Sequence, residues 1–131
     1  MSESSRIRRG DVCLASYTFP HERAIANPPT LEKARPILIL QNDADNDNPR
    51  YPLVMAAPIT TQKTERVYEQ DVLLPAGEAN LEQTSKVLLG LSQPFLRKRV
   101  GRRYGRLSSP KQREVDIKPL RLFGFAPQSK E

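Results

Sequence analysis

"YPLVMAAPITTQ", residues 51–62, is the stretch around which the rest of the chain can be arranged. Pro52 is tolerable at the entry to a strand, small and branched apolar residues follow, and the run closes on Thr60, Thr61 and Gln62. Just upstream, "RPILILQ" (35–41) is a near-continuous apolar run with Pro36 at its start, which reads as a buried strand. Between the two lies "NDADNDNPR" (42–50), dense in Asn and Asp that bond their own backbone in turns. The three pieces together predict an antiparallel pair. Period-two alternation puts Thr60 and Thr61 on opposite faces, so at most one of them points into a given site.

Working outward, "DVCLASYTF" (11–19), introduced by Gly10, predicts a first strand. "PHERAIANPPTLEK" (20–33) has no sustained period and two adjacent prolines, so it reads as a long loop of the kind that often carries function. On the other side, "YEQDVLLP" (68–75) predicts a fourth strand, "AGEAN" (76–80) a turn and "KVLLGL" (86–91) a fifth strand. "LSQPFL" (91–96) breaks the pattern, and "RVGRRYGRL" (99–107) resumes as a glycine-bent strand. Ser109 as N-cap, Pro110 at the first helical position and Gln112 at N3 give the one clear helix start. That helix is expected to end at Lys118, ahead of Pro119, with "LRLFGF" (120–125) returning as a last strand. Many short strands and one late helix predict a mainly β protein with added helices (α+β), a small, strongly bent sheet or barrel.

A length of 131 residues suits a single domain over 1–131, with 1–8 and 126–131 expected as flexible ends. Twelve prolines argue against a helix bundle. The apolar runs are far too short for a membrane span, and no charged-then-apolar leader opens the sequence, so the expectation is a cytoplasmic protein with no membrane partner. The lone Cys13 sits in an alternating strand pattern and reads as core filler. The net charge of +6 and pI near 9.8 favour polyanions, nucleic acid first. Six basic residues lie in "RKRVGRRYGR" (97–106), and Arg6, Arg8 and Arg9 form a second cluster.

The available chemistry is narrow. One histidine, His21, and one cysteine are too few for a zinc centre, and no phosphate-cradling glycine loop occurs, so no metal or cofactor is expected. Asp43, Asp45 and Asp47 lack the glycine and glutamate of a calcium loop and read as a solvated turn. Arginines and hydroxyls remain, and they suit phosphoryl transfer. RNA brings its own nucleophile: its 2′-hydroxyl can attack the adjacent phosphorus once it is deprotonated and oriented and the phosphate charge is neutralised.

"RRGDVCLASY", "ARPILILQNDADN", "YPLVMAAPITTQ" and a late "YGRLSS" before a helix occur in the order found in MazF/PemK-type toxins, the endoribonucleases of type II toxin-antitoxin systems, and the chain resembles that family from about Arg9 to Phe125. The resemblance implies an SH3-like barrel of the MazF/PemK/CcdB type, a homodimer, and single-stranded RNA bound across it. It further implies metal-independent cleavage at a short sequence, leaving 2′,3′-cyclic phosphate and 5′-hydroxyl ends, and neutralisation by a cognate antitoxin. By the same resemblance, Arg35 holds and neutralises the scissile phosphate, and the Thr60 hydroxyl bonds a phosphate oxygen or the attacking group. The plainer readings are a surface arginine paired with Glu32 and ordinary strand chemistry for threonine.

The family's acidic loop before Arg-Pro is replaced here by "NPPTLEKARP", so the general base is left between Glu32 and His21, whose ordinary pKa is about 6.5. Thr61 and Gln62 are candidate RNA contacts, Gln62 either reading a base edge or capping the loop. Where the family often has "QIR", this chain has Gln93, Pro94 and Phe95, with Arg97 or Arg99 as spatial substitutes for the arginine. Phe95 could stack on a base or belong to the core. The alternative from another class is a noncatalytic CcdB-like toxin that binds and poisons DNA gyrase on the same barrel.

Overall fold

The computed structural model describes residues 6–17 and 33–125. Its centre is β3 (Leu53–Thr60), the opening stretch of the sequence, flanked by β2 (Lys33–Ile39) with Ile37 opposite Pro58 and Ile39 opposite Ala56. Next to β2 lies β1 (Asp11–Tyr17), and beyond it β7 (Val100–Arg106), all antiparallel. The other edge of β3 is shared by two short strands. β6 (Gln93–Leu96) pairs with its first half, and β5 (Ser85–Leu88) with Ile59 and Thr60. β4 (Asp71–Leu74) completes that side against β5. The SH3-like, mainly β architecture with an added helix is as expected. The sheet bends without closing, because no ladder joins β4 to β7 among the described residues.

The division of labour along β3 explains how the strand accommodates Pro58. The Met55 carbonyl accepts from the Leu40 N–H, so the odd-numbered backbone groups of β3 face β2. The Pro58 nitrogen therefore faces the other way, into the interval between Ala56, paired with Gln93 of β6, and Ile59, paired with Val87 of β5. No ladder hydrogen bond is lost there. The same interval is crossed by a single 3-10 turn, Leu89–Leu91, that carries the chain from β5 to β6.

Three expectations are corrected. "LSQPFL" is not a break: Gln93–Leu96 forms a strand, in which Pro94 opposes Met55 on the sheet's exposed side. The helix is α2 (Ser109–Leu122), one residue earlier and a full turn longer than the sequence reading. Its N-cap is Ser108, whose Oγ accepts from the Lys111 N–H and donates to the Glu78 carboxylate. Glu78 also accepts the Ser108 N–H at 2.6 Å, taking the part a glutamate at N3 plays in a capping box. Finally, residues 120–125 are not a strand. The helix runs through Pro119 because Lys118 anchors that end to the Glu69 and Asp71 carbonyls, and it closes at Gly124, with φ +82°. "NDADNDNPR" contains one helical turn, α1 (Asp43–Asn46), capped by Asn42.

The two faces of the bent sheet bury separate cores. One, under α2, gathers Val12, Leu38, Ile59, Val87 and Val115. The other gathers Ile7, Cys13, Tyr17, Ile37, Val54 and Phe95. Ile7 and Arg8, counted by the sequence with a loose leading end, are fixed: Ile7 is buried, and the Arg8 N–H donates to Asp11 at 2.8 Å. Cys13 is the core filler its pattern suggested, and burial, with the Asp11 charge nearby, pushes its thiol up to about 12.

Candidate active site

Arg35 and Thr60 lie on neighbouring strands, β2 and β3, each two residues beyond the last ladder pair, Ile37 with Pro58. Ladder partners from Ile37 with Pro58 to Ile39 with Ala56 keep a constant sum of residue numbers, and extending that register by two residues sets Arg35 opposite Thr60 on the same face. The ladder itself ends two residues earlier, at Ile37 and Pro58. The two side chains thus stand where the strands part. Arg35 opposes Ala15 on its other side, and its guanidinium carbon lies 5.4 Å from the centroid of the Tyr17 ring. Tyr17 is buried and packs edge-on against Phe95 at 5.2 Å.

Thr60 is half-buried, whereas Thr61 and Gln62 are exposed. The Thr60 Oγ1 accepts the Gln62 N–H at 3.0 Å, a local turn that fixes the hydroxyl oxygen and leaves its proton to donate. Across the other edge of β3, Thr60 faces Lys86 of β5, which is buried. The Lys86 ammonium donates to the Arg66 carbonyl at 2.6 Å and lies 3.5 Å from the Asp71 carboxylate, both side chains being 7% exposed. Asp71 in turn accepts the Tyr68 N–H at 2.9 Å. A buried ion pair, hydrogen-bonded in addition to the Arg66 carbonyl and the Tyr68 N–H, therefore ties down the 61–70 loop that leaves Thr60.

The basic segment divides into scaffold and surface. Arg97 directs its guanidinium at four backbone carbonyls, those of Asp45, Asn46, Asn48 and Tyr51, at 2.8 to 3.3 Å. Its donors are occupied in capping α1, so the side chain offered as an RNA contact is a scaffold element instead. Phe95 is likewise corrected as a base-stacking candidate, since it is 6% exposed and packed on Tyr17. Gln93 is half-buried, with its side chain donating to the Leu91 carbonyl at 3.1 Å, and Arg99 is exposed. On β7, Arg103 and Arg106 reach the fully buried Asp11 at 3.7 and 3.1 Å while staying half exposed, a positive edge anchored to an internal carboxylate. The two candidates for the general base, His21 and Glu32, lie outside the described residues.

A model of the PemK-like, MazF-like toxins of type II toxin-antitoxin systems matches residues 8–122. The chain belongs to this family. MazF-like toxins are endoribonucleases, and the CcdB-like, gyrase-poisoning alternative is not favoured by that match. Solved structures agree on the fold. An endoribonuclease in complex with its cognate antitoxin, from a mycobacterial species, superposes with a TM-score of 0.71 at 17% identity, covering 93% of this chain and 99% of that one. The Mycobacterium tuberculosis toxin MazF-mt6 gives 0.67 at 24% identity, covering 87% and 96%. A MazE–MazF structure from Deinococcus radiodurans gives 0.69 at 21% identity, covering 92% and 98%. Among curated protein sequences no match was found. No helix among the described residues is long and apolar enough to cross a membrane.

For a MazF-like chain, sequence reasoning missed four residues around the site: Tyr17, Tyr68, Asp71 and Lys86. Tyr17 was legible in principle, because it shares the inward phase of Cys13 and Ala15, and Ala15 opposes Arg35. Lys86 read as the polar start of an apolar strand, and only the pairing of β5 with β3 reveals that it faces Thr60.

Proposed function

We propose that this toxin is a metal-independent endoribonuclease that cleaves single-stranded RNA at a short sequence, leaving a 2′,3′-cyclic phosphate and a 5′-hydroxyl. What supports this reading is the register of β2 on β3, which, continued two residues past its last pair, Ile37 with Pro58, would set Arg35 level with Thr60. A guanidinium and a hydroxyl there can clasp one phosphate from two sides, with charge neutralised by Arg35 as the phosphorus becomes pentacoordinate. The Tyr17 ring under Arg35 supports this role by fixing the guanidinium in place before substrate arrives. Thr61, Gln62, Gln93 and Arg99 are solvent-accessible to differing degrees and suit contacts to flanking nucleotides. Glu32 or His21 is the group assigned to take the 2′-hydroxyl proton.

The protein acts in the cytoplasm as a homodimer with RNA across the dimer, and a cognate antitoxin neutralises it. An acidic, disordered antitoxin segment would complement the positive edge formed by Arg103 and Arg106. The test is incubation of the purified protein with labelled RNAs of diverse sequence in EDTA, followed by analysis of the ends. Cleavage yielding cyclic phosphate and 5′-hydroxyl ends is expected. Intact RNA across the set would overturn the reading.

A further inference from the structure

With Phe95 in the core, Tyr68, in the 61–70 loop that follows Thr60, is an exposed aromatic residue. The residue is 57% exposed, yet its backbone is held at both polar groups. The Tyr68 N–H donates to the Asp71 carboxylate at 2.9 Å, and its carbonyl accepts the Asp71 N–H at 3.0 Å. The ammonium of Lys86 lies 5.9 Å from the ring centroid while it also bonds the Arg66 carbonyl and pairs with Asp71. Lys86 is also the direct partner of Thr60 across the β3–β5 ladder, so one lysine adjoins both the ring and the residue that carries the candidate catalytic hydroxyl.

An exposed apolar ring and a buried ammonium are each unfavourable when isolated. Here they meet. The cation sits over the ring, the residue stays largely open to solvent, and Gln62 and the basic Lys63 and Arg66 of the same loop are exposed as well. A flat, fixed π surface flanked by positive charge is the arrangement on which an unpaired nucleobase stacks while its phosphates are neutralised.

We infer that Tyr68 is a base-stacking platform for the single-stranded RNA next to the cleaved phosphate, held in position by the Lys86–Asp71 pair. This inference rests on the endoribonuclease reading, and its test separates the two. Binding of fluorescein-labelled 2′-O-methyl RNA, whose blocked hydroxyl prevents cleavage, is measured by anisotropy for wild type, Tyr68→Ala and Tyr68→Phe at several salt concentrations. Tyr68→Ala should weaken binding about tenfold, a typical loss for one stacked base, while Tyr68→Phe binds as wild type does. The slope of log K against log salt should be unchanged in both, because no phosphate contact is removed.

Wild-type affinity in Tyr68→Ala overturns the platform and leaves the endoribonuclease reading standing. So does equal weakening in Tyr68→Phe, which would assign the effect to the hydroxyl. No binding by the wild type, together with no cleavage of unmodified RNA, removes both readings.

Discussion

The guanidinium of Arg35 rests against the face of the Tyr17 ring, 5.4 Å from its centroid. The two are diagonal neighbours across the β1–β2 ladder, since Ala15 opposes Arg35 and Tyr17 opposes Lys33. A long, flexible side chain is thereby restricted before it meets a phosphate. Replacing Arg35 with Ala should abolish RNA cleavage with the circular dichroism spectrum unchanged. Tyr17→Leu, which removes the ring, should lower the cleavage rate by about tenfold, within the range of a partly desolvated cation–π contact. Cleavage at the wild-type rate by a folded Tyr17→Leu protein would show that the ring does not position the arginine.

Thr60 and Thr61 provide an internal comparison. Thr60 is half-buried at the end of β3, and Thr61 is exposed one step further along the chain. Loss of a donor aimed at developing charge lowers rates by about 100-fold, so Thr60→Ala should fall that far, while Thr61→Ala stays within about fivefold. Thr60→Ser keeps the hydroxyl and should retain most of the activity. Single-turnover kinetics on one RNA would rank the three, and a larger loss in Thr61→Ala than in Thr60→Ala would place the reactive face on the other side of β3.

How much of this was legible in the sequence depends on the range of the interaction involved. The strands around Ile37 and Ala57 were readable because apolar composition and local turn chemistry specify them. Gln93–Leu96 was not, because Pro94 argues against a strand until β3 is present to supply a partner on one edge only. Pro119 likewise argues for a helix end, and only Lys118 bonding to Glu69 and Asp71 overrides it. At the site, Arg35 and Thr60 were drawn out by family resemblance. Their support from Tyr17, Lys86 and Asp71 depends on strand order, which no local pattern encodes.

Arg97 tests the distinction between a basic residue at the surface and one that builds the scaffold. Its guanidinium makes four hydrogen bonds, to carbonyls at the end of α1 and at Tyr51, joining residues some fifty positions apart. Arg97→Met keeps the apolar stem and removes every donor, so it should cost about 2–3 kcal/mol of stability, read as a lower urea midpoint. Arg97→Lys should recover little, because a point donor cannot span four carbonyls. The salt dependence of RNA binding should be the same in Arg97→Met as in wild type. A shallower slope with undiminished stability would return Arg97 to the RNA surface.

Arg9 links two carboxylates, each held below its ordinary pKa. Its backbone N–H donates to Asp43, and its guanidinium bonds Asp116 on α2. Burial alone would raise both carboxyls. In Asp43, hydrogen bonds from Arg9 and Asn46 and the charges of Arg8 and Arg106 more than offset it; in Asp116, Gln112 and Arg9 do so. Both groups are thus held below the unfolded value of about 3.9, and a depressed folded pKa favours the folded state wherever the carboxylate is ionised. That contribution is complete above the unfolded value and is lost as pH falls through the lower, folded pKa. In Asp43→Asn/Asp116→Asn the amide oxygens can still accept hydrogen bonds, but the charge opposite Arg8 and Arg9 is gone. Urea midpoints of the double variant should therefore lie below wild type at pH 6, with the gap narrowing under about pH 4 as the wild-type carboxylates protonate. A gap that stays constant down to pH 2.5 would mean that side-chain shape, rather than charge, supplies the stability at this junction of the first strand and the helix.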